Sequence, residues 1–136
     1  MPPIELGDVF AVQFEGIDHD KYIVVVGITE LGSFICSAFI NSKIHQFIID
    51  KRPHLVRLHI PITQNNNRFL SHDSFIGCDD CKKVSVEKMN NLFAAGMCRP
   101  LGKLNSDDFA AVRAAVIDSD LLSPEELQYY FQIPIP

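Results

Sequence analysis

The first third of the chain has the hydrophobic pattern of three successive strands. The segment 7–14, GDVFAVQF, alternates its side chains with the two-residue period of a β-strand. The segment 21–28, KYIVVVGI, is β-branched and apolar on both faces, which predicts a central strand. The segment 34–41, FICSAFIN, alternates again and ends on the polar pair Asn41-Ser42. We expect the rest of the chain to be organised around these strands, with any active surface where they end.

The middle of the chain predicts further strands separated by polar turns. KIHQFIIDKRP, residues 43–53, has apolar positions typical of a strand or hairpin arm, and HLVRLHIPI, residues 54–62, alternates so that Arg57 and His59 share one polar face. TQNNNR, residues 63–68, predicts an irregular loop, because asparagine tolerates left-handed backbone geometry. RFLSHDSFIGCDDC, residues 68–81, resumes strand character and ends in a turn-like Asp79-Asp80 pair.

Three helices are predicted after these strands. The first runs from Val86 to Ala95, with Ser85 as a possible N-cap and Gly96 as the stop. The second begins at 105–108, NSDD, whose acids suit a helix N-terminus. The third begins at 123–126, SPEE, a capping box with proline at the first helical position. Strands followed by helices, without regular alternation, predict an α+β or small-barrel architecture.

Composition favours one compact soluble domain over residues 1–136. The chain is 47% apolar, and no apolar run reaches the length of a membrane span. Its first twenty residues carry five acids and no basic region, so we expect no signal peptide and a cytoplasmic location. In that setting the four cysteines are better interpreted as reduced thiols or metal ligands than as a disulfide framework. No phosphate-loop, dinucleotide or nucleophile-elbow motif is present.

Charge is distributed unevenly along the chain. The net charge is −5, but residues 41–68 hold five bases against Asp50, a net of +4, while residues 1–40 and 69–136 are both acidic. This middle segment predicts a cationic surface that can face a polyanion, although a solvated loop face explains the same charges.

The strand motifs together resemble the PemK/MazF family of bacterial toxins. GDVFAVQF, HDKYIVVVG and FICSAFINSK resemble the opening strands of that family, and RFLSHDSFIGCDDCKKVS and GKLNSDDFAAVRAAV resemble its later strand and C-terminal helix. The resemblance covers most of residues 7–117, with 86–100 as a helical insertion and 123–136 as a C-terminal helix and tail. It implies a small SH3-like β-barrel of five to seven strands, with helices in the C-terminal third.

The resemblance also implies an activity, namely metal-independent cleavage of single-stranded RNA by a homodimer that an acidic antitoxin silences, with no cofactor. The arginine of the family falls on Lys21 and its catalytic threonine on Asn41, with Ser42 adjacent, so both positions depart from the pattern. His19 can supply a general base or acid. The remaining candidates are RNA-binding side chains that would follow the backbone or stack a base, namely Lys43, Arg52, Arg57, His59 and Tyr22.

Other interpretations of the same residues stay open. The pair His19 and Lys21 fits a solvated loop, Asn41-Ser42 fits a turn, and Arg57 with His59 fits the wet face of a strand. The same fold without cleavage would be a module that binds RNA or a protein. A third class is a small interaction domain stabilised by zinc on Cys78, Cys81 and Cys98, although the second C-x₂-C pair of a strong zinc motif is missing.

Overall fold

The computed structural model covers residues 1–136, and its six strands form one antiparallel sheet. The strands are β1 (Asp8–Val12), β2 (Lys21–Ile28), β3 (Phe34–Asn41), β4 (His59–Ile62), β5 (Ser74–Ser85) and β6 (Cys98–Lys103). Their order across the sheet is β4-β5-β3-β2-β1-β6. The predicted α+β class and strand number are confirmed. The sheet is open rather than closed into a barrel, with β4 and β6 at its two edges.

Four α-helices accompany the sheet: α1 (Gln46–Lys51), α2 (Val86–Ala94), α3 (Ser106–Ile117) and α4 (Pro124–Phe131). The last three are the predicted helices. Ser85 and Ser123 are N-caps as predicted, and Asn105 caps the helix that its acids had indicated; all three accept hydrogen bonds from backbone N–H groups of the first turn. Ser123 and Glu126 complete the predicted capping box. None of the helices is long and apolar enough to cross a membrane.

The sheet buries an apolar core on each of its faces. Val24 and Val26 of β2 belong to the larger core, which α3 and α4 cover with residues such as Val112 and Phe131. Ile23 and Val25 point to the opposite core, where α2 contributes Met89. β2 is therefore buried on both faces and lies between β1 and β3, which confirms the predicted central strand.

The segment between β3 and β4 differs from the predicted pair of strands. Residues 46–51 form α1, whose N-cap is the side chain of His45, and Pro53–Leu58 form a 3₁₀ helix that begins with a proline. Only His59–Ile62 are extended. The prediction was wrong because the apolar residues of 43–53 also fit helical spacing, and Pro53 favours a helical start. Arg57 and His59 therefore do not alternate along one strand.

The Asp79-Asp80 pair lies inside β5 and not in a turn. Ser37 of β3 pairs with Lys82 and Phe39 pairs with Gly77, so a two-residue step in β3 faces a five-residue step in β5. The extra residues form a bulge. β5 stays in the sheet on both sides of the bulge, while Asp79 and Asp80 are not paired with β3. The sequence-based prediction failed here because a long bulge and a turn use the same polar residues.

Two later segments contact the sheet, one as the edge strand β6 and the other as the helix α4. Within residues 86–100 the helix α2 ends at Ala94, and Cys98 begins β6, which pairs with β1. The end of α4 packs against β2 with Tyr130 and Phe131 buried. Gly27 permits this contact, because a Cβ there would lie 2.9 Å from the carbonyl oxygen of Tyr130.

The side chain of Asn67 links the polar loop 63–68 to helix α3 through hydrogen bonds. It is buried and donates to the carbonyl oxygen of Thr63 (3.1 Å) and to Asp108 Oδ2 (2.8 Å). Its Oδ1 accepts from the backbone N–H of Asn105, the residue that caps α3 (2.9 Å). One buried amide thus satisfies backbone groups of both segments.

We expect Asn67→Ala to lower the free energy of unfolding by about 2 kcal/mol, because it leaves buried polar groups without partners. Asn65→Ala is the matched control, since Asn65 is exposed two residues earlier in the same loop, and it should change stability by less than about 0.5 kcal/mol. Urea denaturation of the two variants measures the difference. Equal free energies of unfolding for the two variants would show that the hydrogen bonds of Asn67 do not stabilise the protein.

Candidate active-site cleft

Three strand ends meet at one edge of the sheet. Lys21 is the first residue of β2, Asn41 is the last residue of β3, and Ser74 is the first residue of β5. The register aligns these ends, because Tyr22 pairs with Ile40 and Asn41 pairs with Phe75. Antiparallel pairing therefore brings the polar residues before and after these strands together.

Lys21 and Asn41 are in direct contact at this edge. The Lys21 ammonium donates to Asn41 Oδ1 over 3.3 Å, and its Nζ lies 5.4 Å from the centroid of the Phe39 ring. Phe39 is in turn packed edge-on against Phe14. The structure therefore brings together the two positions on which the family's arginine and threonine fall. The aromatic face and the amide oxygen together hold the ammonium group at the strand end.

A cleft of about 590 Å³ opens above this pair. The predicted residues that line it are His19, Lys21, Tyr22, Asn41, Ser42, Lys43 and His59. Polar residues that the sequence-based prediction missed complete the lining, namely Asp20, His45, Ser71, His72, Ser74 and Arg99. All four residues predicted as catalytic therefore share one concave, polar site, the arrangement expected of an active or binding site.

Arg52 and Arg57 do not line the cleft. Both are exposed, on the segment that joins β3 to β4, and the guanidinium carbon of Arg52 lies 5.9 Å from the ring centroid of Phe47. The structure thus separates the predicted RNA-binding residues into two groups. Lys43, His59 and Tyr22 lie at the cleft, while the two arginines lie on the neighbouring surface.

His59 forms part of the cleft wall, but its ring is buried. Its side chain is 7% exposed, and Nε2 lies 3.3 Å from Asp79 Oδ1 without the geometry of a hydrogen bond. Gly77 makes room for this cluster, because a Cβ there would lie 3.2 Å from Asp79 Oδ1 and 3.6 Å from both Asn41 Nδ2 and His59 Cε1. The bulge in β5 therefore places the Asp79 carboxylate beside the imidazole of His59 from β4, and both lie directly behind Asn41.

Two exposed histidines missed by the sequence-based prediction are held by local backbone contacts. His45 Nδ1 accepts from the backbone N–H of Phe47 over 3.0 Å, and His72 Nδ1 lies 3.0 Å from the carbonyl oxygen of Asp73. With His19 and His59, four of the five histidines of the chain line this cleft. His45 lies next to a predicted polar strand end, whereas His72 had no local signal beyond its polar neighbours.

Arg99 enters the cleft from β6 and was also missed. Its guanidinium group lies 3.4 Å from Asp20 Oδ2, and both side chains are largely exposed. An exposed ion pair of this kind contributes little to stability, so an incoming anion can replace the carboxylate at low cost. No sequence motif identifies Arg99, because it reaches the cleft only through the pairing of β6 with β1.

The cysteines do not form the proposed zinc site. Cys78 and Cys98 lie in the cores on opposite faces of the sheet, and no group of three metal-binding side chains is assembled anywhere in the protein. The hydrogen bond between Cys36 and Cys81 raises the pKa of Cys36 and lowers that of Cys81, and burial raises the pKa of Cys78 to about 12. Cys36 is a buried thiol of the core.

A larger cavity, of about 860 Å³, lies elsewhere, between α4 and the turn that joins β2 to β3. Its charged lining residues are Glu30, Glu125 and Glu126 against Lys83, and Lys83 is already paired with Glu126 at 2.7 Å. This cavity is acidic and does not suit a phosphate. The cleft at the strand ends, with Lys21, Lys43 and Arg99, is the cationic site of the molecule.

Comparison with known proteins identifies the fold. No family model and no curated protein matches the chain. Among solved structures, it is similar to the Mycobacterium tuberculosis toxin MazF-mt6, with 15% identity and a TM-score of 0.54 over 85% of this chain and 98% of that one. It is also similar to a chain of the MazE-MazF crystal structure from Deinococcus radiodurans, with 11% identity and a TM-score of 0.56 over 88% and 97% of the two chains. The chain therefore has the fold of the PemK/MazF-like toxins.

Proposed function

We propose that this protein is a PemK/MazF-like toxin that cleaves single-stranded RNA without a metal ion. The observation that supports this most is the cationic cleft, which joins Lys21, Asn41, Ser42 and His19 at the ends of three strands. The sequence had suggested these same four residues: the resemblance to the toxin family gave Lys21 and Asn41, with Ser42 adjacent, and the chemistry of imidazole gave His19. The similarity of the fold to MazF-mt6, a toxin, favours the same conclusion.

The chemistry needs no metal, because an RNA strand carries its own nucleophile. The 2′-hydroxyl attacks the adjacent phosphorus, and negative charge accumulates on the phosphate oxygens. The Lys21 ammonium can neutralise that charge, and Asn41 Nδ2 or the Ser42 hydroxyl can donate to a phosphate oxygen. Asn41 Oδ1 keeps Lys21 at the strand end before RNA binds, which reduces the reorganisation required for the reaction.

Residues around the cleft offer a path for a single strand. Lys43 and Arg99 at its rim can bind flanking phosphates, and Tyr22 can stack a base. Arg52 and Arg57 extend the cationic surface beyond the cleft. His59 supports the wall and does not contact the strand, because its ring nitrogens are buried.

The partners proposed for this protein are an acidic antitoxin and a second copy of the chain. The similar Deinococcus radiodurans structure is titled as a complex of MazE with MazF, which favours an antitoxin partner here as well. An acidic partner would cover the segment 41–68, where the net charge is +4. We place this system in the cytoplasm, where its RNA substrate is found.

A module that binds RNA or a protein without cleaving is the second candidate. It is favoured by the two departures from the family, a lysine in place of the arginine and an asparagine in place of the catalytic threonine. A lysine lacks the bidentate fork of arginine, and Lys21 is already in contact with Asn41. Cleavage and binding experiments distinguish the two candidates.

We expect the purified protein to cleave single-stranded RNA in the presence of EDTA. Lys21→Ala should lower the cleavage rate by about 100-fold or more, since a single preorganised charge contributes that much to a transition state. Lys88→Ala is the matched control, because Lys88 is an exposed lysine on α2 outside the cleft. Gel analysis of a labelled RNA measures these rates. Absence of cleavage by the unaltered protein would contradict the nuclease proposal.

We also expect the rim of the cleft to account for part of the salt dependence of binding. With an uncleavable 2′-O-methyl RNA, Lys43→Ala and Arg99→Ala should each lower the slope of log affinity against log salt by about 0.7, the value for one phosphate contact on a single strand. Lys88→Ala should leave the slope unchanged. Fluorescence anisotropy at several salt concentrations measures it. If both rim variants keep the wild-type slope of log affinity against log salt, the RNA does not bind at this rim.

A further inference from the structure

Cleavage through the 2′-hydroxyl requires two proton transfers on opposite sides of the phosphorus. A base removes the proton of the attacking oxygen, and an acid protonates the oxygen that leaves. Histidine suits both roles, because imidazole titrates near neutral pH. The cleft contains four histidines, and their contacts determine which of them can act.

We propose that His72 is the general base and His19 the general acid of the cleft, a pairing that rests on the RNA cleavage proposed above. Two of the four histidines are excluded by their surroundings. The ring nitrogens of His59 are buried, so they do not reach a bound strand. His45 Nδ1 accepts from the N–H of Phe47, so the proton of its neutral ring is on Nε2, which then cannot accept another.

The contacts of His72 leave its Nε2 free to accept a proton. Nδ1 lies 3.0 Å from the carbonyl oxygen of Asp73, which can only accept, so Nδ1 carries the proton of the neutral ring. The Ser74 hydroxyl, 3.2 Å from the same nitrogen, can donate instead to the carbonyl oxygen of His72 at 3.1 Å. With the Nδ1–H tautomer of His72, the ring nitrogen, the Ser74 hydroxyl and both carbonyl oxygens all have hydrogen-bond partners. The side chain is exposed, so Nε2 is accessible to a ribose hydroxyl.

The contact of His19 leaves its Nε2 free to donate a proton. Nδ1 lies 2.9 Å from Asp18 Oδ1, and a carboxylate oxygen can only accept, so Nδ1 carries a proton that it donates to Asp18. The hydrogen bond with His19 lowers the pKa of Asp18, so this carboxyl is the ionised acceptor of the pair. When the ring is protonated, its second N–H is on Nε2, which can donate it to a leaving oxygen.

The order of the strands places the two histidines on opposite sides of Asn41-Ser42. His19 precedes β2, His72 precedes β5, and β3 lies between those strands. Neighbouring strands are about 4.8 Å apart, so the backbones of β2 and β5 are separated by about 10 Å. A phosphate bound at Lys21 and Asn41 would therefore have one imidazole on each side, as in-line displacement requires.

The two histidines supply both proton transfers of the cleavage step. His72 Nε2 takes the proton of the 2′-hydroxyl while the 2′-oxygen forms a bond to phosphorus. The bond between phosphorus and the 5′-oxygen breaks, and that oxygen receives the Nε2 proton of His19. The products are a 2′,3′-cyclic phosphate and a 5′-hydroxyl. Exchange of protons with water returns both rings to their starting states.

Several groups influence the titration of this pair. Across the cleft, His72 and His19 face Asp20, Lys21, Tyr22, Lys43, His45, His59 and Arg99, and their own neighbours in sequence are Asp73 and Asp18. The cations among these groups line the same cleft as His72, whereas the carboxylate of Asp18 contacts His19 directly. The two rings therefore differ in their charged neighbours.

The test is single-turnover RNA cleavage in EDTA between pH 5 and 9. We expect a bell-shaped profile for the wild type, because His72 must be neutral and His19 charged. His72→Ala should slow cleavage by about 100-fold or more and remove the acidic limb, and added imidazole should restore part of the rate. His19→Ala should remove the alkaline limb. His54→Ala is the matched control, since His54 is the one histidine outside the cleft.

The outcomes distinguish this proposal from the proposed function. Cleavage by the wild type, with His72→Ala folded and within threefold of its rate, would overturn the histidine pair and leave the nuclease intact. Absence of wild-type cleavage would overturn both. A second measurement is independent of activity. Nitrogen-15 shifts of the imidazoles should show neutral His72 protonated on Nδ1 and neutral His45 on Nε2, and the same tautomer at both would overturn the assignment.

Discussion

The pairing of β3 on both of its sides is the constraint on which the candidate site depends. β3 is hydrogen-bonded to β2 on one side and to β5 on the other, with both faces of the sheet covered by apolar cores. Because side chains alternate with a period of two, a slip of one residue would exchange the two cores. The hydrophobic pattern therefore fixes the register, and the register places Lys21, Asn41 and Ser74 at one edge.

The bulge in β5 adapts this sheet to its site. An uninterrupted β5 would continue the ladder directly after the pair of Phe39 and Gly77, whereas the extra residues 78–81 place Asp79 next to His59 behind the cleft. Gly77, at the start of the bulge, has no side chain to obstruct Asn41. Bulges beside functional sites commonly redirect side chains in this way. The same irregularity brings Cys81 to Cys36, so these cysteines have a packing role in place of a metal-binding one.

The sequence predicted well those features that depend on local pattern. Apolar patterns identified β1, β2 and β3, and capping or acidic residues at the first turn identified α2, α3 and α4. The resemblance to the toxin family pointed to Lys21 and Asn41, which the structure brings into contact. Features that depend on distant pairing escaped prediction: Arg99 reaches the cleft only because β6 adds to β1, and His72 because β5 adds to β3. The helix α1 was missed since a short apolar run fits either period.

We propose that a phosphate of single-stranded RNA binds in the cleft where β2, β3 and β5 end. An NMR titration of the isotope-labelled protein with an uncleavable 2′-O-methyl RNA tests this binding site. We expect the largest shift changes at Lys21, Asn41, His72 and Arg99, with little change at Leu31 and Tyr129 beside the acidic cavity. Changes confined to the acidic cavity, or to neither surface, would contradict it.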